Sequence, residues 1–214
     1  MRIPAVSALA ALVSAVVLTA PAAAADCSGE VVAAFQKQRT SKAFRVSMAQ
    51  PTAEGDVEMT VDYMPPDRML QTVKSPAMPG AQQTMLVGNR AFAGTEGAFE
   101  ELLPQFTQSI MSEFNAAMGT TGKEIGSFEC LGKAQYEGRE YVIYRALDKV
   151  APAGTPADKI LARTIYVDPE SGLPAYNVVA TVSGGERPVI KAAYSYPADM
   201  VIEAPQGAPV QKLR

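Results

Sequence analysis

The sequence contains no histidine and no tryptophan, and it has two cysteines in 214 residues. The lack of histidine removes the commonest general base and metal ligand and excludes Ser-His-Asp and Cys-His arrangements. The lack of tryptophan removes the usual stacking platform for a sugar. That weighs against reading Glu100–Glu101, Glu58 with Asp62, or Asp168 with Glu170 as the two carboxylates of a glycosidase. Glu100 and Glu101 more simply favour a helix N-terminus, and Asp168 and Glu170 belong to a turn. No cluster has the ligand number or spacing of a dedicated metal site. Gly119-Thr120-Thr121-Gly122-Lys123 superficially suggests a phosphate loop. Its glycines are too close together, Glu124 stands where Ser or Thr is needed, and it follows a helix rather than a strand, so it reads as a helix C-cap and turn. Basic residues are scattered singly, 19 against 22 acidic, for a net charge of −3. The absence of a basic patch argues against nucleic acid and against electrostatic docking on anionic lipid. The expectation is a chain with no cofactor and no catalytic site.

Long apolar runs are confined to the N-terminus. Arg2, the apolar stretch Ala5 to Leu18 and the small residues Ala22 to Ala25 have the form of an export signal cleaved before Asp26. The run is too short and too alanine-rich for a membrane span, so no transmembrane segment is expected in the mature chain. Removing it takes away Arg2 and no acid, leaving 18 basic and 22 acidic residues, a charge of −4. Cys27 sits just past the cleavage site, but Asp26 occupies the position where a lipid-anchored cysteine needs a small residue before it. In an exported protein the pair Cys27 and Cys130 reads as a disulfide. Neither a CxxC motif nor a histidine is present to activate a thiol.

The remaining chain reads as strands around one amphipathic segment, Gly97 to Met118, in which Phe99, Leu103, Phe106, Ile110 and Phe114 recur every three or four residues. Pro104 lies inside it and suits only a first helical turn, so the regular helix is expected to begin near Leu103, with a turn over Phe99 to Leu102. Before it, Ser28 to Arg39 reads as a short helix with Val31, Val32 and Phe35 on its apolar face, capped by Ser28 or Asp26. Ala43 to Gln50, Asp56 to Met64, Arg68 to Lys74, Gln83 to Val87 and Arg90 to Ala93 read as strands. After it come strands through Cys130, at Arg139 to Leu147, Arg163 to Val167, Pro174 to Val182 and Pro188 to Tyr196, with a last short strand at Met200 to Glu203. Successive hairpins imply an antiparallel sheet of about ten strands, and only the helices are available to cover its buried face. The fold class is mainly β with helices (α+β). One domain is expected over residues 26–205, with 206–214 as a flexible tail.

Several phrases resemble the LolA/LolB-like lipoprotein-carrier superfamily, with its LppX/LprG- and RseB-like relatives. Tyr63-Met64-Pro65-Pro66-Asp67-Arg68-Met69 is similar to a strand–turn–strand of that group. Val87 to Phe92 is similar to one of its hairpins, and Tyr194 to Pro205 to its ending. The most specific likeness is Ile165-Tyr166-Val167-Asp168-Pro169-Glu170-Ser171-Gly172-Leu173-Pro174. The resemblance implies a curved, incomplete antiparallel barrel whose concave apolar face is covered by helices, with acyl chains or other hydrophobes bound between them. It also implies that some members act as sensory or protein-binding modules.

The mature chain is rich in methionine, at 48, 59, 64, 69, 78, 85, 111, 118 and 200. Such residues serve as core filler or as the lining of an adaptable cavity. The expected function is a soluble periplasmic carrier for a lipid, an acyl chain or a lipoprotein; the alternative is a sensory or protein-binding module with a filled core. The expected lining is Phe99, Leu103, Phe106, Ile110 and Phe114, facing Met59, Val61, Tyr63, Met69 and Met85. The expected partners are a lipid or acylated peptide and, beyond that, an envelope protein, with the carrier itself a monomer.

Overall fold

The computed structural model describes residues 25–119, 126–147, 154–183 and 188–212. The expected export signal, most of the phosphate-loop-like stretch, the loop after Leu147 and the Gly184–Gly185 turn lie outside the described residues. The elements run α1 (Ser28–Arg39), β1 (Phe44–Thr52), β2 (Gly55–Met64), β3 (Arg68–Lys74), β4 (Gln82–Val87), β5 (Arg90–Thr95), β6 (Ala98–Glu101), α2 (Pro104–Gly119), β7 (Glu129–Tyr136), β8 (Arg139–Leu147), a short 3₁₀ turn at Ala157–Lys159, β9 (Leu161–Val167), β10 (Pro174–Thr181) and β11 (Ile190–Ser195).

All these strands join one antiparallel, unclosed and curved sheet in the order β6-β5-β4-β3-β2-β1-β11-β10-β9-β8-β7. The order explains the role of α2. Hairpins carry the chain from β1 outward to one edge at β6, and β7 begins at the opposite edge. The connection between these two edges contains α2, which packs over β4 and β5 on its own half of the sheet. The second half then returns by neighbouring strands until β11 pairs with β1, Val46 opposite Tyr194.

Three differences from the sequence reading have local causes. Phe99 to Glu101 is a strand rather than the turn before a helix. Glu96 and Gly97 both adopt positive φ, 52° and 86°, the backbone of a tight two-residue hairpin, which returns the chain onto β5. Gly94 makes this possible, since a Cβ there would lie 2.1 Å from the Ala98 carbonyl oxygen. Pro104 is the first residue of α2, as its missing N–H allows. Met200 to Glu203 is not a strand. It lies over the outer face of the sheet, where Met200 and Ile202 are buried with Met85 and Phe92. Finally, the tail expected from Gln206 onward returns to β6. Val210 forms a parallel bridge with Glu101, and Glu101 N–H donates to the Pro209 carbonyl at 2.8 Å.

Period-2 alternation separates the two faces. Leu86 and Ala91 pack beneath α2 with Val61, Met69 and Phe114, while their neighbours Met85 and Phe92 face the C-terminal segment. α1 covers the other half of the concave face. Val31, Ala34 and Phe35 pack there on Phe128, Tyr144, Ile165 and Val167. The expected Cys27–Cys130 disulfide is present, joining the start of α1 to β7 across a sequence separation of 103. Asp26 holds the start of α1 by accepting from both the Ser28 N–H (3.0 Å) and the Ser28 hydroxyl (2.6 Å).

Candidate functional site

A sheet with helices on its concave face leaves a seam wherever the two helices fail to meet. Here α1 and α2 cover different halves of the sheet, and the seam falls over β1, β2 and β11, the strands where the two halves join. A cavity of about 230 Å³ lies in it. Its apolar wall comes from Phe35 of α1, Phe44 and Val46 of β1, Tyr63 of β2, Tyr194 of β11 and Met118 of α2. Register places these side chains together. Phe44 pairs with Tyr63, and Val46 pairs with both Val61 and Tyr194, so all of them point to the helix side. The Phe44 and Tyr63 rings stack with centroids 4.7 Å apart, and Tyr194 meets Phe35 edge to face at 6.0 Å. The Tyr63 and Tyr194 hydroxyls are raised above the usual phenol range, chiefly because burial disfavours the phenolate. Both are neutral donors at any physiological pH.

Three polar side chains interrupt this wall: Gln38, Arg39 and Arg163. Gln38 is buried and donates its amide N–H to the Tyr196 hydroxyl at 3.3 Å. Arg163 donates Nε–H to Asn177 Oδ1 at 3.0 Å. Arg39 is lowered from the usual guanidinium value by burial. Arg39 and Met118 also border a larger, more open groove of about 760 Å³ that runs past Gln36, Thr40 and the Pro65–Pro66 turn. The inner cavity therefore meets solvent at its Arg39 end.

The residues expected from the sequence divide among three places. Met59, Val61, Tyr63, Met69, Ile110 and Phe114 come together in one cluster between sheet and α2. Of these six only Tyr63 reaches the cavity wall. Phe99 and Met85 face the opposite side of the sheet and pack with Phe92, Met200 and Ile202. That corrects their assignment to the concave lining: the Gly97 hairpin turns Phe99 outward, and Leu86, not Met85, points at α2. Leu103 is half-buried ahead of α2, and Phe106 is 46% exposed. The cavity residues not singled out from the sequence are Phe35, Phe44, Val46, Met118 and Tyr194 with the three polar ones. Phe35 and Phe44 carried an apolar-periodicity signal. Arg39 and Arg163 carried none, since a lone arginine at a helix end or in a strand looks like any solvated cation.

A second depression of about 480 Å³ near Ser47, Thr60, Lys191 and Ala193 is floored mainly by side chains of the opposite face. It has no contact with either helix. Cys27, Glu30 and Cys130 lie close enough to suggest a metal site. The two sulfurs are bonded to each other, and Glu30 accepts from the Tyr144 hydroxyl at 2.6 Å, so these donors do not form one. No helix among the described residues is long and apolar enough to cross a membrane.

The fold is shared with solved structures. LprF from Mycobacterium bovis superposes with a TM-score of 0.52 at 12% identity, covering 84% of this chain and 97% of that one. The Mycobacterium tuberculosis lipoprotein LppX gives a TM-score of 0.52 at 11% identity, covering 82% and 96%. MucB in complex with MucA(peri) aligns at a TM-score of 0.46 and 12% identity, covering 88% of this chain and 63% of that one, which is too low for any inference. No protein-family model and no curated relative matches the sequence.

Proposed function

We propose that this chain, which has the LolA/LolB-like lipoprotein-carrier fold, is a periplasmic, non-enzymatic binding protein that carries a lipid, an acyl chain or the acylated end of a lipoprotein. The observation that supports this reading is the cavity between the two helices and the sheet, lined by Phe35, Phe44, Val46, Tyr63, Met118 and Tyr194. Binding there would rest on apolar burial, about 25 cal/mol per Å² removed from water before ordering costs. The volume of about 230 Å³ lies below the roughly 300–1,000 Å³ of most ligand sites. It suits part of one acyl chain, and α2 would have to shift to admit a larger cargo. The N-terminal segment with Arg2 and the apolar run Ala5 to Leu18 supports export, and the disulfide agrees with an oxidising compartment.

A second reading, a protein-binding or sensory module with a filled core, is favoured by one observation. Phe114 is only 3% exposed and seals α2 against Val61, Met69 and Leu86. Mass spectrometry of organic extracts of the protein purified from its native envelope separates the two, together with uptake of a fluorescent fatty acid. A stoichiometric lipid or saturable uptake supports the carrier. Neither one would leave the filled-core module.

A further inference from the structure

The two arginines in the cavity wall differ from the other arginines of the fold. Arg45, Arg68, Arg90, Arg139 and Arg145 each meet a carboxylate within 4.0 Å. Among the described residues, Arg39 and Arg163 meet none. Both are half-buried, a partly desolvated guanidinium without a counter-ion is costly, and burial lowers Arg39 from its ordinary value. Among the described residues Arg163 commits only its Nε–H, to Asn177, and its terminal NH₂ groups remain able to donate.

Their placement is also asymmetric. Arg39 borders both the inner cavity and the outer groove, whereas Phe35, Phe44, Tyr63 and Tyr194 belong to the inner cavity alone. A ligand would therefore find an apolar interior and two cationic forks, one of them at the mouth. Guanidinium forks match carboxylate and phosphate oxygens in geometry, and such charge-assisted bonds are about twice as strong as neutral ones.

From this we propose that the ligand is a single-chain amphiphile with an anionic head, a carboxylate or a phosphate monoester. Its tail lies against Phe44, Tyr63 and Met118, and its head is held by Arg39 and Arg163. The proposal rests on the binding reading above and narrows its ligand class. The same guanidiniums discriminate against neutral and cationic heads, because either would leave two half-buried arginines without an anionic partner.

The test uses four probes with one tail and different heads: decanoate, decyl phosphate, decanol and decyltrimethylammonium. Each is titrated into the purified disulfide-bonded protein by calorimetry below its aggregation concentration. The expected result is that decanoate, decyl phosphate or both bind about tenfold or more tighter than decanol, with decyltrimethylammonium weakest. A preference for one of the two anions tells a fatty acid from a phosphate headgroup. In the Arg39→Gln/Arg163→Gln double variant that preference should fall to parity while decanol affinity stays within about twofold. The single variant Arg39→Lys should keep part of it, since the charge remains and the fork is lost. Equal affinity of the unmodified protein for decanol and both anions overturns the headgroup assignment and leaves the carrier reading standing. So does tight binding of decyltrimethylammonium, or an anion preference that survives the double substitution in a protein of unchanged melting temperature. Failure of all four probes to bind overturns both.

Discussion

The rings of Tyr63 on β2 and Phe114 on α2 lie with centroids 6.1 Å apart and planes inclined by 37°. This contact joins the sheet to the helix that covers its first half. Tyr63 stacks on Phe44 on its other side, and both rings line the cavity. The position of α2 and the closure of the cavity are therefore set by the same aromatic stack.

Replacing Phe114 with Ala should loosen that joint. The side chain is 3% exposed within an apolar cluster, and removing a buried phenylalanine costs about 3–5 kcal/mol. Urea unfolding should show an unfolding free energy lower by that amount, while far-ultraviolet dichroism at zero urea keeps its β-sheet form. Amide exchange in α2 should accelerate more than in β1 or β11. Unchanged stability would mean that α2 does not depend on this contact.

The neighbouring aromatic on the same helix should behave differently. Phe106 is 46% exposed and lies outside the cluster that holds Phe114. Phe106→Asp should alter stability by less than about 0.5 kcal/mol and leave fatty-acid uptake intact. Phe114→Asp places an unpaired carboxylate in an apolar cluster and should cost far more. Equal effects of the two substitutions in a thermal melt would contradict this placement.

That contrast shows where sequence periodicity sufficed and where it did not. α1 was legible to its ends, and β2 to within one residue, because one face of each is apolar and the other polar. β4 was ambiguous. Met85 and Leu86 are adjacent, both apolar and both buried, since the strand is covered on one face by α2 and on the other by Met200 and Ile202. A period of two cannot rank two occupied faces. Phe99 fell on a helical stripe by coincidence of spacing, and a two-residue hairpin at Glu96–Gly97 overrode it. The cavity itself was hidden for another reason. Its wall draws Phe35, Tyr63, Met118, Arg163 and Tyr194 from five elements, and only the strand order brings β1 beside β11.

Asp168 ties acid stability to the turn that most resembles the carrier family. Its Oδ1 accepts from the Ser171 N–H (2.8 Å), the Ser171 hydroxyl (2.9 Å) and the Glu170 N–H (3.1 Å), and Arg139 lies beside Oδ2. The Ser171 backbone bond is the largest cause of a carboxyl held below the ordinary value of 3.8. A group depressed in the folded state contributes stability above its unfolded value, and that contribution fades as the pH falls through the folded one. Asp168→Ala should therefore lower stability by about 1–2 kcal/mol at pH 7. The gap from the unsubstituted protein should narrow only below about pH 4. Denaturation curves at pH 7, 5 and 3 check this, and a gap that is constant down to pH 3 would remove Asp168 from the acid response.

The C-terminal segment should act as an edge guard. β6 is the last strand on its side of the sheet, and an open edge presents unpaired backbone groups to any other strand. On β6, both backbone groups of Glu101 are occupied. Its N–H donates to the Pro209 carbonyl and its carbonyl accepts from the Gln211 N–H, each at 2.8 Å. Truncation after Pro205 removes both bonds and the packing of Ala208 against the outer cluster, while Met200 and Ile202 stay in place. The truncated protein should keep its fold with a modestly lower melting temperature, because the lost contacts are few. It should also self-associate with rising concentration through β6, seen as a shift to dimer or larger species in size-exclusion chromatography with light scattering. Adding Ala98→Lys, an exposed position on β6, should suppress that association, since an edge lysine opposes strand pairing. Persistent association in that variant would place the contact elsewhere on the surface.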